Sequence, residues 1–348
     1  LQTTETSLQH PYLVAWLNDD QAFIGGRDSF AILDTVNNAV IKQTERERVY
    51  APYDIAVNST KTQYAVSFYG SLHCYNTHDH GLLWKYQYVT DRHAFPITFN
   101  SQNENQVIYG ISAAHIVAST LSNNDDENRL YFHCSSGRTI SCKSSETKVI
   151  FYNYTTGPEG FEVYTTTKDN YHSHPCFNKT KPDQQQNNFI ALTEIRYTPN
   201  GKHIILNFQH ALQIHNADLQ NLGSNNDNII TIRTDRPCIA FECYNDLFIA
   251  VLTQDNIVSY YNYYSTDPIT QTSLQHLVGY NPYSGSYKRL SISSDGSKPL
   301  AALCGKCFVI PVPLLAIVCD RPETAQLIHL LLCVTKAKST ICKRKADK

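Results

Sequence analysis

The stretch Ile195-Arg-Tyr-Thr-Pro-Asn-Gly-Lys-His-Ile-Ile-Leu206 decides how this chain folds. Apolar and polar residues alternate, a Pro-Asn-Gly turn reverses the direction, and a second apolar run follows. Alternation with a period of two marks a strand, and glycine supplies the positive φ that other residues resist in a tight turn. The same strand–turn–strand unit returns at Val14, Ile55, Ile97, Ile239 and Leu290. Along the chain the six starts lie 41, 42, 98, 44 and 51 residues apart, and the interval of 98 leaves room for one degenerate copy.

A repeat of roughly 40–50 residues with four strands per unit predicts an all-β fold, a β-propeller of four-stranded blades. The first unit runs from His10 to Thr44, with Val14, Trp16, Ala22, Ile24, Phe30, Ile32 and Val40 as inward positions and Gly25-Gly26 as a turn. The second places strands at Ile55, Tyr64, Leu72 and Leu82, with a turn at Gly70. In the middle, His115-Ile-Val-Ala, Leu130-Tyr-Phe-His-Cys, Lys148-Val-Ile-Phe-Tyr and Phe161-Glu-Val-Tyr read as one irregular blade. Counting it separately makes the propeller seven-bladed; merging it with its neighbour makes it six-bladed. Seven is the favoured count. The polar run Asn123 to Asn128 and the segment from Lys179 to Asn188 read as loops.

The propeller is expected over residues 1–313 and a helix with a basic tail over 314–348. Asp320 and Glu323 have the spacing of a capping box, and an apolar run to Val334 and several lysines follow. That run falls well short of the roughly 20 residues that span a bilayer, so no transmembrane segment is expected.

Tyr75-Asn-Thr-His-Asp-His-Gly-Leu-Leu-Trp-Lys-Tyr resembles the turn and outer strand of WD40-like, YVTN-like and quinoprotein-type propeller repeats. Tyr197-Thr-Pro-Asn-Gly-Lys-His-Ile-Ile-Leu and Ser291-Ile-Ser-Ser-Asp-Gly-Ser-Lys-Pro-Leu resemble the first hairpin of the same repeats. The likeness covers about residues 10–313 and implies a fold, not an activity. No unit ends in Trp-Asp and none opens with Gly-His, so the hydrogen-bonded tetrad of regular WD40 repeats is not expected.

Composition agrees with an all-β chain: 42% hydrophobic, 17% charged, with 23 Tyr and 14 Phe among 348 residues. A net charge of −2 offers no field to recruit nucleic acid. Of the 11 cysteines, Cys74, Cys243, Cys304 and Cys307 fall in strands, which suits free buried thiols and a cytoplasmic setting. Sequons at Asn58, Asn153 and Asn178 are what an Asn- and Thr-rich chain produces by chance.

No catalytic residues are assigned and an enzyme is not expected: the chain has no Gly-x-Ser-x-Gly elbow, phosphate loop or dinucleotide fingerprint. No cofactor is expected either, with zinc the candidate if a metal binds. His172, His174 and Cys176 alternate, so an extended strand would set all three on one face as ligands. Cys304-Gly-Lys-Cys307 lacks a second ligand pair, and His78-Asp-His80 reads as an ordinary turn. Tyr260-Tyr-Asn-Tyr-Tyr264 reads as strand residues stacking on a neighbouring blade.

The logic of a propeller points to a non-catalytic protein–protein interaction scaffold that uses one loop face. In the WD40-like propellers that the chain resembles, that face carries the turns between second and third strands and the connections into first strands. The resemblance thus places Arg27, Asp28, Tyr69, His210, Asp255 and Lys306 on the turns and Tyr53, His93, Arg236 and Lys288 on the connections. Protein partners are expected at this face and at the terminal helix. The alternative is a small-molecule, glycan or metal-dependent propeller with its ligand at the central channel.

Overall fold

Strict alternation turns out to be the exception in the computed structural model: Leu13–Trp16 and Phe248–Thr253 are buried at every position. A strand buried on both sides belongs to a sheet covered on both faces. The described residues are 2–4, 8, 10–27, 29–44, 51–87, 97–100, 103–112, 115–120, 130–133, 137–142, 149–153, 162–166, 193–217, 230–244, 248–263, 265–276, 290–293, 298–303 and 306–310. They contain strands and turns but no α-helix, and no helix among them is long and apolar enough to cross a membrane. The expected terminal helix lies outside them.

After β1 (Gln2–Thr4), the first sheet is β2 (Leu13–Trp16), β3 (Gln21–Gly25), β4 (Phe30–Asp34) and β5 (Ala39–Gln43). The second is β6 (Pro52–Val57), β7 (Gln63–Phe68), β8 (Ser71–Asn76) and β9 (Leu82–Gln87). The third is β10 (Ile97–Asn100), β11 (Asn103–Ser112), β12 (His115–Thr120) and β13 (Leu130–His133). A three-stranded sheet follows: β14 (Gly137–Cys142), β15 (Val149–Asn153) and β16 (Glu162–Thr166). The fifth is β17 (Glu194–Tyr197), β18 (His203–Asn207), β19 (Ala211–Asn216) and β20 (Ile230–Arg233). The sixth is β21 (Cys238–Tyr244), β22 (Phe248–Thr253), β23 (Ile257–Asn262) and β24 (Thr270–Ser273). The last is β25 (Leu290–Ile292), β26 (Pro299–Leu303) and β27 (Lys306–Val309), completed by β1, which pairs Gln2 with Val309 and Thr4 with Cys307.

First strands lie side by side from β2 through β6, β10 and β14 to β17, and β25 packs against both β21 and β2. The hydrophobic cores sit between sheets. One joins Phe23, Phe30 and Ile32 to Ile55, Tyr64 and Tyr75; another joins Val14, Trp16 and Leu33 to Leu300, Ala302 and Cys307. Antiparallel sheets set inner strand to inner strand, with the last touching the first, are the architecture of a β-propeller. Of the inward positions expected in the first unit only Val40 is exposed. It lies on the outer strand, past the reach of the neighbouring sheets.

The middle of the chain corrects the sequence reading. His115–Thr120 and Leu130–His133 are the third and fourth strands of the third sheet, not part of a separate irregular unit. The next sheet begins instead with Gly137–Cys142, whose Gly-Arg-Thr-Ile-Ser-Cys lacks the apolar pattern of other first strands.

Local chemistry makes four of the units fold alike. A residue just after the first strand caps the next turn: Asn18 Oδ1 accepts from the Gln21 amide at 2.8 Å, Asn58 Oδ1 from Gln63 at 3.0 Å, Thr198 Oγ1 from His203 at 3.1 Å and Ser293 Oγ from Lys298 at 2.9 Å. Three residues after Asn58 and Thr198 the chain turns left-handed, at Lys61 with φ 56° and at Gly201 with φ 68°. Glycine serves a different need at Gly25, where a Cβ would lie 2.8 Å from the Pro52 ring of the next sheet.

Asn58 is buried and its amide donates to Thr60 and Thr62, so its side chain is consumed inside the turn rather than offered to a glycan. Asn58→Ala is expected to cost about 2–3 kcal/mol, because the Thr62 and Gln63 amides lose a buried acceptor. Urea unfolding measures it, and mass spectrometry of protein from a glycosylating host should find Asn58 bare.

Candidate functional site

Antiparallel order gives each sheet two unlike ends. One carries the turns joining first to second and third to fourth strands. There polar side chains are spent on the fold: Asp34 caps Val36 and Asn37, Asn76 caps His78, Thr77 Oγ1 donates to the Lys61 carbonyl, and Asp79 accepts from Gly81. Neighbouring units are also tied there, by Lys298 Nζ donating to the Asp19 carbonyl at 3.3 Å and by Lys61 facing the Asp19 carboxylate at 3.6 Å.

The opposite end carries the turns between second and third strands and the connections into each first strand. Arg27, Tyr69 and His210 stand exposed on those turns, and Arg236 with Asp235 is exposed on the connection into β21. Arg27, His210 and Arg236 engage no side-chain partner among the described residues. Here the structure brings expected rim residues to one end of their sheets. Asp255 also lies there but is half-buried, its carboxylate held by Thr253 Oγ1 at 2.6 Å. Tyr53 is half-buried within β6, and Lys306 opens β27 rather than lying in the turn before it. Asp28, His93 and Lys288 lie outside the described residues, as do His172, His174 and Cys176.

A second group is one the sequence reading missed. Arg196 on β17 bonds Glu242 on β21 at 2.7 Å and also Glu194 on its own strand, and its guanidinium lies 5.0 Å over the Phe241 ring. Burial alone would pull the guanidinium down; the two carboxylates outweigh it and hold the charge firmly. The triad clamps the fifth sheet to the sixth. Its signal in the sequence is a pair of opposite charges, Glu194 and Arg196, two apart on a short first strand, with Arg196 at the position where the second sheet has Ala56.

A third group lies between the first and second sheets. Ser71 Oγ meets His73 Nε2 at 3.1 Å, and His73 Nδ1 meets the Tyr75 hydroxyl at 3.0 Å, all on one face of β8. Burial first, then the Lys85 charge, takes His73 down to about 4, so the ring is neutral at pH 7. A base so weakened, with its serine buried, suits a structural relay rather than nucleophilic catalysis.

Cysteine chemistry is equally quiet. Cys74, Cys238, Cys243 and Cys307 are free and buried, and burial pushes the thiols of Cys74, Cys243 and Cys307 up to about 12. Such thiols stay protonated and inert. Among the described residues no three His, Cys, Asp or Glu side chains converge as a metal site. Tyr260, Tyr261 and Tyr263 are buried, as the sequence reading expected; Tyr260 joins the core toward the last sheet, and Tyr261 and Tyr263 the core toward the fifth.

Among the described residues the exposed large aliphatic side chains are Val36, Val40 and Ile41 in the first sheet and Leu82 and Leu83 in the second.

No protein-family model matches the chain, and no curated protein matches its sequence. Solved structures do resemble it. The β-propeller domain of Cps50 (Swd1) from Myceliophteria thermophila superposes with a TM-score of 0.67 at 10% identity, covering 90% of this chain and 98% of that one. A hydrazine synthase chain from Kuenenia stuttgartiensis superposes with a TM-score of 0.59 at 12% identity, covering 88% of this chain and 97% of that one. At such identities the likeness establishes a divergent β-propeller and nothing of its chemistry.

Proposed function

We propose that the chain is a seven-bladed propeller acting as a non-catalytic protein-interaction scaffold, with the loop end of its sheets as the docking face. The observation that carries this reading is the contrast between the two ends. Polar side chains at one end are engaged in capping and cross-turn bonds, whereas at the other Arg27, His210 and Arg236 stand exposed with no side-chain partner among the described residues, and Tyr69 is exposed at the same end. Arginine and tyrosine are the side chains that anchor protein interfaces, since each combines contact area with directional hydrogen bonds. The buried His73 relay and protonated thiols, already engaged in the fold, argue against nucleophilic chemistry at those groups. Free buried cysteines also suit a reducing, cytoplasmic setting.

Capture from native cell extract tests the reading. The triple variant Arg27→Glu/Tyr69→Ala/Arg236→Glu is expected to lose at least ten-fold of a specific partner while its thermal unfolding stays where it was. Unchanged capture by the triple variant would sink the docking face. A chain ended after Pro313 tests whether the basic tail docks as well. Capture of no protein together with stoichiometric zinc would move the assignment to a metal-dependent ligand site, beginning with His172, His174 and Cys176.

A further inference from the structure

Two histidines flank one pair of stacked tyrosines where the first sheet meets the second. Tyr64 on β7 stacks on Tyr75 on β8 with ring centroids 5.1 Å apart. His80, in the turn after β8, meets the Tyr64 ring edge-on at 6.1 Å and is only 3% exposed. Neither of its ring nitrogens has a hydrogen-bond partner, and the Tyr64 hydroxyl has none either. The His80 carbonyl accepts Lys42 Nζ from β5 at 2.5 Å, and the same ammonium lies 5.9 Å over the Tyr75 ring. The outer strand of the first sheet is thus fastened to the second by a lysine that ends on the backbone of a buried histidine.

The charges around this point are unequal. Facing His80 are Lys42 from β5, Asp79 and His78 from its own turn, Tyr64 from β7 and Tyr75 from β8. Lys42 and His78 oppose a further positive charge. Asp79 favours one, but its carboxylate already accepts from the Gly81 amide at 2.8 Å in an exposed bond. Facing His73 are Lys85 from β9, Ser71 and Tyr75 from its own strand, and the Phe68 ring at 4.8 Å.

We propose that this seam is an acid-operated latch: a proton on His80 sets a second cation beside Lys42 on a buried ring whose nitrogens have no hydrogen-bond partner, and strand Ala39–Gln43 lets go of the second sheet. Both histidines are held below their ordinary range, by burial first and then by Lys42 for His80 and by Lys85 for His73. Once released, such a ring takes its proton near ~6.5, so the open form binds more protons than the closed one below that pH. The seam is therefore fully stable above ~6.5 and loses stability as pH falls toward the depressed values of the closed form. Opening uncovers the stack of Tyr64 and Tyr75.

Hydrogen exchange read by mass spectrometry between pH 7.5 and 4.5, corrected for intrinsic rates, tests the latch. Residues 39–43 and 76–87 are expected to exchange at least ten-fold faster at pH 4.5, while 204–207 and 248–253 stay protected. His80→Phe should abolish the acceleration by removing the titrating group. His80→Asn should do the same and suits the left-handed φ of 56° that the turn imposes, so it covers the case in which the phenyl ring does not fit. Acceleration of equal size in both variants and the wild type, or none in the wild type, overturns the proposal. Loss of the response in His73→Phe with its persistence in His80→Asn overturns it too, by moving the trigger to the relay.

Discussion

Replacing Arg196 with methionine is expected to destabilise the protein by about 3–5 kcal/mol, because Glu194 and Glu242 would keep their charges in a partly buried site with no cation between them. The measurement is the urea midpoint at constant slope, taken against the wild type. A companion variant separates the charge from the packing. Converting all three residues to Leu, Met and Leu removes the orphaned carboxylates as well, and should recover most of the loss. If the single and triple variants lose the same amount, the clamp acts through packing on Phe241 rather than through charge. A single variant within about 1 kcal/mol of wild type would show that the pair is worth no more than a surface ion pair.

Phe30→Ala is the other large effect, at about 3–5 kcal/mol. Phe30 is almost fully buried and touches three rings: Phe23 at 5.0 Å, Phe68 at 6.1 Å and Tyr75 at 5.9 Å. Two of these belong to the second sheet, so truncation leaves a void across a seam and not within one sheet. Collapse would need both sheets to move together, which close packing resists. Phe30→Leu keeps most of the volume and should cost under about 1.5 kcal/mol. Thermal unfolding checks the sizes, and hydrogen exchange should place the loss in β3, β7 and β8, leaving β22 protected. Equal losses from alanine and leucine would mean that ring contacts rather than volume hold this seam.

The elements differ in how much of this could be read without coordinates. The units that open at Ile55 and Ile195 were legible because alternation and turn composition are local, while the caps at Asn58 and Thr198 and the left-handed Lys61 came from the structure. The resemblance to propeller repeats rested on the stretches 75–86, 197–206 and 291–300, of which the second holds Thr198 and Gly201. Gly137–Cys142 escaped notice because Arg, Thr and Ser interrupt its apolar pattern, and its neighbours were gathered into the wrong unit. The rim was legible as positions, since antiparallel order alone sends Arg27, Tyr69 and His210 to one end. That Asp255 is tied to Thr253, while Arg27 has no side-chain partner among the described residues, depends on rotamers and could not be read. His78-Asp-His80 looked like a plain turn, and it is one. The burial of His80 comes from Lys42 and Tyr64, neither of which the turn contains.

Sequence alone determined the strand–turn–strand unit and its return along the chain, because these depend on side-chain alternation and φ preferences within a few positions. Tertiary structure decided which strands share a sheet. It paired Gln2–Thr4 with Lys306–Val309, set His115–Thr120 in the third sheet, joined Arg196 to Glu242 and closed the seam over His80. The physical reason is degeneracy: a short apolar strand has the same pattern whichever edge it joins. Only the simultaneous burial of both faces of every sheet selects one neighbour over another.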